Sequence, residues 1–169
     1  MPSQHASKTH FKESCLLLAD VVSKAKRSKM MAGIRSKDTR PEIKIRKALH
    51  RLGFRYRLHK AALPGRPDLA LPKYRAVIMV NGCFWHGHGC HLFKWPSTRP
   101  EFWRRKINRN RLKDSETIAL LKEDNWRILV VWECALKGRT KLSFEDLILD
   151  IAGWIESKNC YKEIEGRAC

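Results

Sequence analysis

Ala76-Val77-Ile78-Met79-Val80, running straight into Asn81-Gly82-Cys83, is the stretch that decides the fold. Five consecutive apolar residues ending at a polar loop fit a strand buried on both faces. A second run of this kind, Ile128-Leu129-Val130-Val131-Trp132, opens at Arg127. Upstream of the first run, Asp68 to Leu71 reads as a short strand behind the turn Leu63-Pro64-Gly65-Arg66-Pro67. Phe54 to Leu58 alternates apolar and basic residues, the pattern of a half-exposed strand. Thr39 to Glu42 (T-R-P-E) has capping-box spacing and predicts a helix to about Leu52, with Ile45, Ala48, Leu49 and Leu52 on one face and Gly53 at its end. Downstream, Asn81 to Pro96 is a loop dense in Gly, His, Cys and Trp. A second T-R-P-E at Thr98 to Glu101 then opens a basic helical region to about Asp124. Ser143 can cap a last helix carrying Leu147, Ile148, Ile151, Trp154 and Ile155. The order α-β-β-β-α-β-α predicts an α/β layered domain around a mixed sheet.

The chain has 169 residues, enough for one globular domain, and its 35 Lys and Arg against 17 Asp and Glu give a formal charge of +18. Such an excess disfavours a compact chain unless a polyanion neutralises it, and nucleic acid is the first candidate. A ribosomal partner or an anionic membrane surface are alternatives. The sequence contains no long apolar run and no signal-peptide pattern, so the expected location is the cytoplasm. Residues 1–29 read as a flexible basic extension, with a marginal helical stretch at Cys15–Val22 and an arm carrying Arg27 and Lys29. Residues 30–158 read as the folded domain and 159–169 as a C-terminal tail.

Six cysteines in a chain without a secretion signal point to reduced thiols or metal rather than disulfides. Cys83 and Cys90 flank a histidine-rich loop, and Cys134 follows the second buried strand. Neighbouring strand ends can bring these cysteines together, leaving one of four tetrahedral positions for a histidine. His88 sits between the two loop cysteines, but spacing does not separate it from His86 and His91.

Asp68, at the start of a strand beside the next one, can hold a hard cation such as Mg²⁺. Spacing alone favours ordinary turn chemistry for it. Glu42 reads first as the capping carboxylate and Asp114 as a solvated helix charge. His86 suits proton transfer near neutrality if it is not a metal ligand. Phe84, Trp85, Trp95 and Trp103 cluster with basic residues around the loop, and aromatic wedges of this kind open or kink a duplex. Trp126, Trp132 and Trp154 read as core. Met30, Met31 and Ile34, after the basic arm, could enter a groove.

Leu63-Pro64-Gly65-Arg66-Pro67-Asp68, Asn81-Gly82-Cys83-Phe84-Trp85-His86-Gly87-His88 and Trp132-Glu133-Cys134 together resemble the very-short-patch repair (Vsr) mismatch endonucleases, over about residues 24–142. The resemblance implies a restriction-endonuclease-like fold, a central mixed sheet flanked by helices, with a structural zinc. It implies a Mg²⁺-dependent nick 5′ to the thymine of a T·G mismatch left by deamination of 5-methylcytosine. Carried over, Asp68 and the backbone carbonyl of Val80 would hold Mg²⁺, and His86 would be the general acid/base. Glu42 and Asp114 would support it. Cys83, His88, Cys90 and Cys134 would hold Zn²⁺. Phe84, Trp85 and Trp103 would wedge beside the mismatch, opposed by Met31 and Ile34. Asn81 departs from the pattern, standing where a well-known form has histidine. It can hydrogen-bond a phosphate but cannot exchange a proton at neutral pH, so proton transfer falls to His86. Residues 1–18 extend beyond the family's usual start and are assigned no function.

The expected partner is double-stranded DNA with a T·G mismatch, with other repair proteins as further candidates and a monomer as the default state. Two alternatives are a restriction-type nuclease acting on intact duplex and a catalytically silent, zinc-stabilised DNA-binding protein.

Overall fold

The computed structural model describes residues 23–33 and 37–167. Residues up to Ile34 form one unit, and Arg35 onward a second. In the first, the basic arm is a helix, α1 (Lys24–Ala32), whose Lys26 N–H donates to the Ser23 hydroxyl at 3.3 Å. Lys29 is exposed on it. Ile34 and Cys15–Val22 lie outside the described residues.

The second unit is a five-stranded mixed sheet in the order β1-β2-β3-β4-β5. Its strands are β1 (Arg57–Leu58), β2 (Leu69–Leu71), β3 (Ala76–Asn81), β4 (Arg127–Trp132) and β5 (Tyr161–Ile164). β1, β2 and β3 pair antiparallel, while β3, β4 and β5 pair parallel. Parallel neighbours need crossovers. They are supplied by α3 (Pro100–Glu123) between β3 and β4, and by α4 (Phe144–Glu156) between β4 and β5.

Both apolar runs bury residues on both faces, with period-2 alternation, while Met79, Val80 and Trp132 at their ends are half-buried. Ile78, Leu129 and Val131 face a core with Ile45 and Leu49 of α2 (Arg40–Arg51) and Leu147, Ile151 and Ile155 of α4. Val77, Ile128 and Val130 face the other way, against Leu121 of α3 and Trp126. Each fully buried Leu or Ile contributes about 1.5–3 kcal/mol of apolar transfer, which makes these two layers the main stabilisation. Arg127 ties the end of α4 to the sheet, donating from Nη2 to the carbonyls of Trp154 (3.0 Å) and Ile155 (2.8 Å).

Four local expectations change. Leu52 is 52 % exposed, because the chain leaves the helix there through Gly53 at φ +90°, and Phe54 takes its place in the core. The T-R-P-E at Thr98 does not act as a cap. Arg99, in a left-handed conformation, precedes the helix without a side-chain bond. Only Arg57–Leu58 of the expected first strand pairs. The C-terminal segment expected as a tail carries β5, which completes the sheet. Among the described residues no helix is long and apolar enough to cross a membrane.

Candidate active site and metal centre

β2 runs antiparallel to β3, so the start of β2 lies beside the end of β3. Asp68 stands just ahead of β2, and its Oδ2 accepts the Val80 N–H at 2.7 Å. Val80 and Asn81 are half-buried and close β3. Asp68 is pushed up to about 6, first by burial and then by the neighbouring charge of Glu42, against the downward pull of the Val80 N–H. A carboxylate whose ionisation is opposed by burial gains most from a cation placed against it. Val80, whose N–H is already spent on Asp68, leaves its carbonyl as the donor a hard ion would share.

Glu42 is 3 % exposed on α2. Its Oε1 accepts the Thr39 hydroxyl at 2.7 Å and its Oε2 the Asp38 N–H at 2.9 Å. Thr39 therefore donates to the glutamate instead of capping the helix. Arg46, one turn along, donates to Glu42 Oε2 at 2.7 Å. The i, i+4 spacing of Glu42 and Arg46 was the sequence signal for that pair. His59 and Asp38, which complete the cluster, had none.

The loop after β3 is held against α3 through its carbonyls. Asn110 donates to the Trp85 carbonyl at 2.8 Å and Arg111 to the carbonyls of His86 and Gly87. Gly87, at φ +63°, lies so close that a Cβ there would sit 2.7 Å from Ile107 and Arg111. This clamp sets His86 over α3, where its Nδ1 lies 2.5 Å from Asp114 Oδ2. Asp114 is thus a partner of His86 and not a solvated charge. With Nδ1 engaged, Nε2 is the nitrogen left for proton transfer.

The three loop histidines separate by their partners. His86 meets Asp114, and His91 Nδ1 meets the Thr140 hydroxyl at 3.3 Å. His88 joins Cys83, Cys90 and Cys134, and the ligand atoms of these four all lie within 4.8 Å of one another. They converge because β3 and β4 are parallel neighbours, Asn81 opposite Trp132, so the chain leaves both strands at one end. Cys134 Sγ lies 3.7 Å from His88 Nδ1. A tetrahedral zinc with ordinary bond lengths sets that S···N edge at about 3.6 Å, so the donor set fits zinc. Burial pushes the Cys83 and Cys134 thiols up, so without a cation they stay protonated.

The surroundings continue the pattern of a metal centre. His88 Nε2 lies 2.9 Å from Glu165 Oε2, and the Gly166 N–H donates to Cys134 Sγ at 3.3 Å. A carboxylate on the far nitrogen of a ligating histidine fixes its tautomer and raises its basicity. Trp132, expected in the core, is half-buried and stacks on the His88 ring at 4.2 Å. Its position at the strand end, beyond the helix-covered span, explains the difference.

Phe84, Trp85 and Trp103 are half-buried and meet edge to face or tilted, with centroids 5.1–6.0 Å apart. They form a joined aromatic ridge at the start of α3, flanked by exposed Arg99, Arg104, Arg105 and Lys106. The side chains of Arg27 and Met31 are not among those described.

A profile of the family described as DNA mismatch endonuclease Vsr matches residues 19–92. The chain is 46 % identical over 148 residues to the DNA mismatch endonuclease Vsr of Escherichia coli (strain K12), covering 88 % of this chain and 95 % of that protein. It is 45 % identical over 119 residues to the type II nicking enzyme V.XorIIP of Xanthomonas oryzae pv. oryzae, covering 70 % and 88 %. With the type II nicking enzyme V.NmeAIP of Neisseria meningitidis it shares 39 % over 122 residues, covering 72 % and 87 %. These relatives, with a fold consistent with an α/β nuclease, show that the chain is a DNA endonuclease of repair belonging to the Vsr family.

Proposed function

We propose that the chain nicks the thymine strand of a T·G mismatch, 5′ to the thymine, by magnesium-dependent hydrolysis on a restriction-endonuclease-like domain. The observation that supports the chemistry is Asp68 held against Val80 near the end of β3, the strand that runs on into the loop where His86 meets Asp114. Asp68 and the Val80 carbonyl would hold Mg²⁺, which when bound neutralises charge developing on the scissile phosphate. His86 Nε2 takes the proton of the attacking water, and Asp114 holds Nδ1–H and stabilises the imidazolium that forms. Glu42 keeps a lone pair on Oε1 for a water beside Asp68. Asn81 donates its amide to a phosphate oxygen.

Cys83, His88, Cys90 and Cys134 would hold one structural zinc, tying β3 to β4 behind the loop of His86. Phe84, Trp85 and Trp103 insert beside the mismatched pair, where stacking is weakest. Met31 and Ile34, with Arg27 and Lys29 on phosphate, act from the other groove. Residues 1–29 serve as the DNA-binding arm of a catalytic domain that runs through β5 to the residues beside the Cys/His cluster, Glu165 and Gly166, and works as a monomer in the cytoplasm.

The type II nicking enzymes among the relatives favour a second reading, a nick directed by sequence in the duplex without need of a mismatch. The aromatic ridge weighs against it, since paired bases read in the major groove call for no wedge. To test the proposal, a T·G duplex labelled on each strand is incubated with Mg²⁺ or EDTA. The expected product is one nick 5′ to the mismatched T, with Mg²⁺ only. Cutting in EDTA, or of the G strand, would overturn it.

A further inference from the structure

Between α2 and the start of α4 lies an open cavity of about 450 Å³. Its rim is cationic, with Lys44, Lys47 and Arg51 from α2 and Lys141 from the segment ahead of α4, all four exposed. The three on α2 stand at i, i+3 and i+7 and so form one stripe along the helix. Like charges at that spacing repel and weaken the helix that carries them. None of the four side chains is in an ion pair with a described residue. No carboxylate lines the cavity, since Glu145 and Asp146 in the first turn of α4 are not part of its wall. The floor is apolar. Leu136, Leu142 and Phe144 are half-buried there, beside fully buried Leu147.

The uncompensated charge calls for an anionic occupant. The apolar floor calls for one that also carries hydrophobic side chains, which a phosphate backbone lacks. The direction of the stripe separates it from the catalytic carboxylates as well. Lys44, Lys47 and Arg51 lie roughly 140–200° around α2 from Glu42, at about 100° per residue. Glu42 is buried on the inner side of the helix, near enough for its charge to act on Asp68. The stripe therefore faces away from the groups that a scissile phosphate would meet.

We propose that this cavity docks an acidic peptide segment of a partner protein. Its carboxylates pair with Lys44, Lys47, Arg51 and Lys141, and its apolar side chains cover Leu136, Leu142 and Phe144. Docking on this side leaves the catalytic side of α2 free, so partner and duplex bind together. The inference does not depend on the mismatch reading or on the roles given to Asp68 and His86.

The probe is a short fluorescent peptide of Glu and Leu, with a control of equal charge in which Ser replaces Leu. Both are titrated by fluorescence anisotropy into the full-length, zinc-loaded protein. The Leu peptide is expected to bind about 10-fold or more tighter than the Ser peptide, because only it covers the apolar floor. Lys44→Glu with Lys47→Glu is expected to weaken the Leu peptide about 10-fold or more. Lys73→Glu with Lys158→Glu makes the same change in net charge at exposed lysines outside the cavity, and is expected to weaken it no more than about 2-fold. A saturating T·G duplex, added in EDTA, is expected to leave the peptide bound. Equal affinity for the two peptides, or equal loss in the two double variants, would reduce the binding to general attraction by a basic protein and overturn the proposal. Displacement of the peptide by the duplex would make the cavity part of the DNA interface and overturn it as well.

Discussion

His86 and Asp68 do different work and predict different signatures. Asp114 reaches Nδ1 of His86, so in the proposed mechanism its contribution would be orientation and stabilisation of the charged ring. Asp114→Asn is expected to slow single-turnover nicking about 10–100-fold while leaving DNA affinity intact, a smaller loss than the ~10²–10⁴-fold expected for His86→Ala. Asp68 is raised to about 6 from 3.8. Its folded pKa lies above its unfolded one, so the folded state loses stability as pH rises through the window from 3.8 to about 6 and stays penalised above it. Asp68→Asn should therefore raise the neutral-pH stability of the Mg²⁺-free protein by about 1–3 kcal/mol, with no gain near pH 3.5, while abolishing cleavage. Equal stabilisation at both pH values, read from denaturant melts, would refute that sign. At this scale the sequence showed which residue types were present but not how they paired. Asp114 lies 28 positions from His86, and helix spacing offered it only local lysine and arginine neighbours. His86, His88 and His91 could not be told apart by spacing, because their partners come from α3, β4 and the loop after it.

Among the elements, those with strong periodicity were readable. The two apolar runs became β3 and β4, and α4 buries the residues its spacing indicated. β5 was not readable. Tyr161-Lys162-Glu163-Ile164 is short and mostly polar, with one buried residue, and its edge position asks for no apolar alternation. Yet β5 delivers Glu165 and Gly166 to His88 and Cys134. Glu165→Gln is expected to weaken zinc retention about 10-fold or more against a competing chelator, without unfolding the zinc-loaded protein. Unchanged zinc release would reduce Glu165 to a surface ion pair. One zinc per chain is expected to copurify, and Cys134→Ser to unfold the region between β3 and β4. A stably folded, metal-free preparation would defeat the zinc assignment.

For the molecule as a whole, the parallel β3–β4 pair organises function. The Cys/His cluster, the Asp114-paired His86 and the aromatic ridge all draw on the chain that leaves that pair at one end, and the same loop links the three. The charge of +18 favours any polyanion and explains affinity without selectivity. On the proposed function, selectivity would come from the ridge of Phe84, Trp85 and Trp103, which a weakly stacked mismatch would admit more readily than a paired step. The most direct measurement is the single-turnover nicking rate, with Mg²⁺, on two duplexes that differ only in T·G against C·G at one position. The account predicts a nick 5′ to the T in the first and no cleavage of the second on the same timescale. Equal rates on both would contradict mismatch recognition and leave a sequence-directed nicking enzyme in its place.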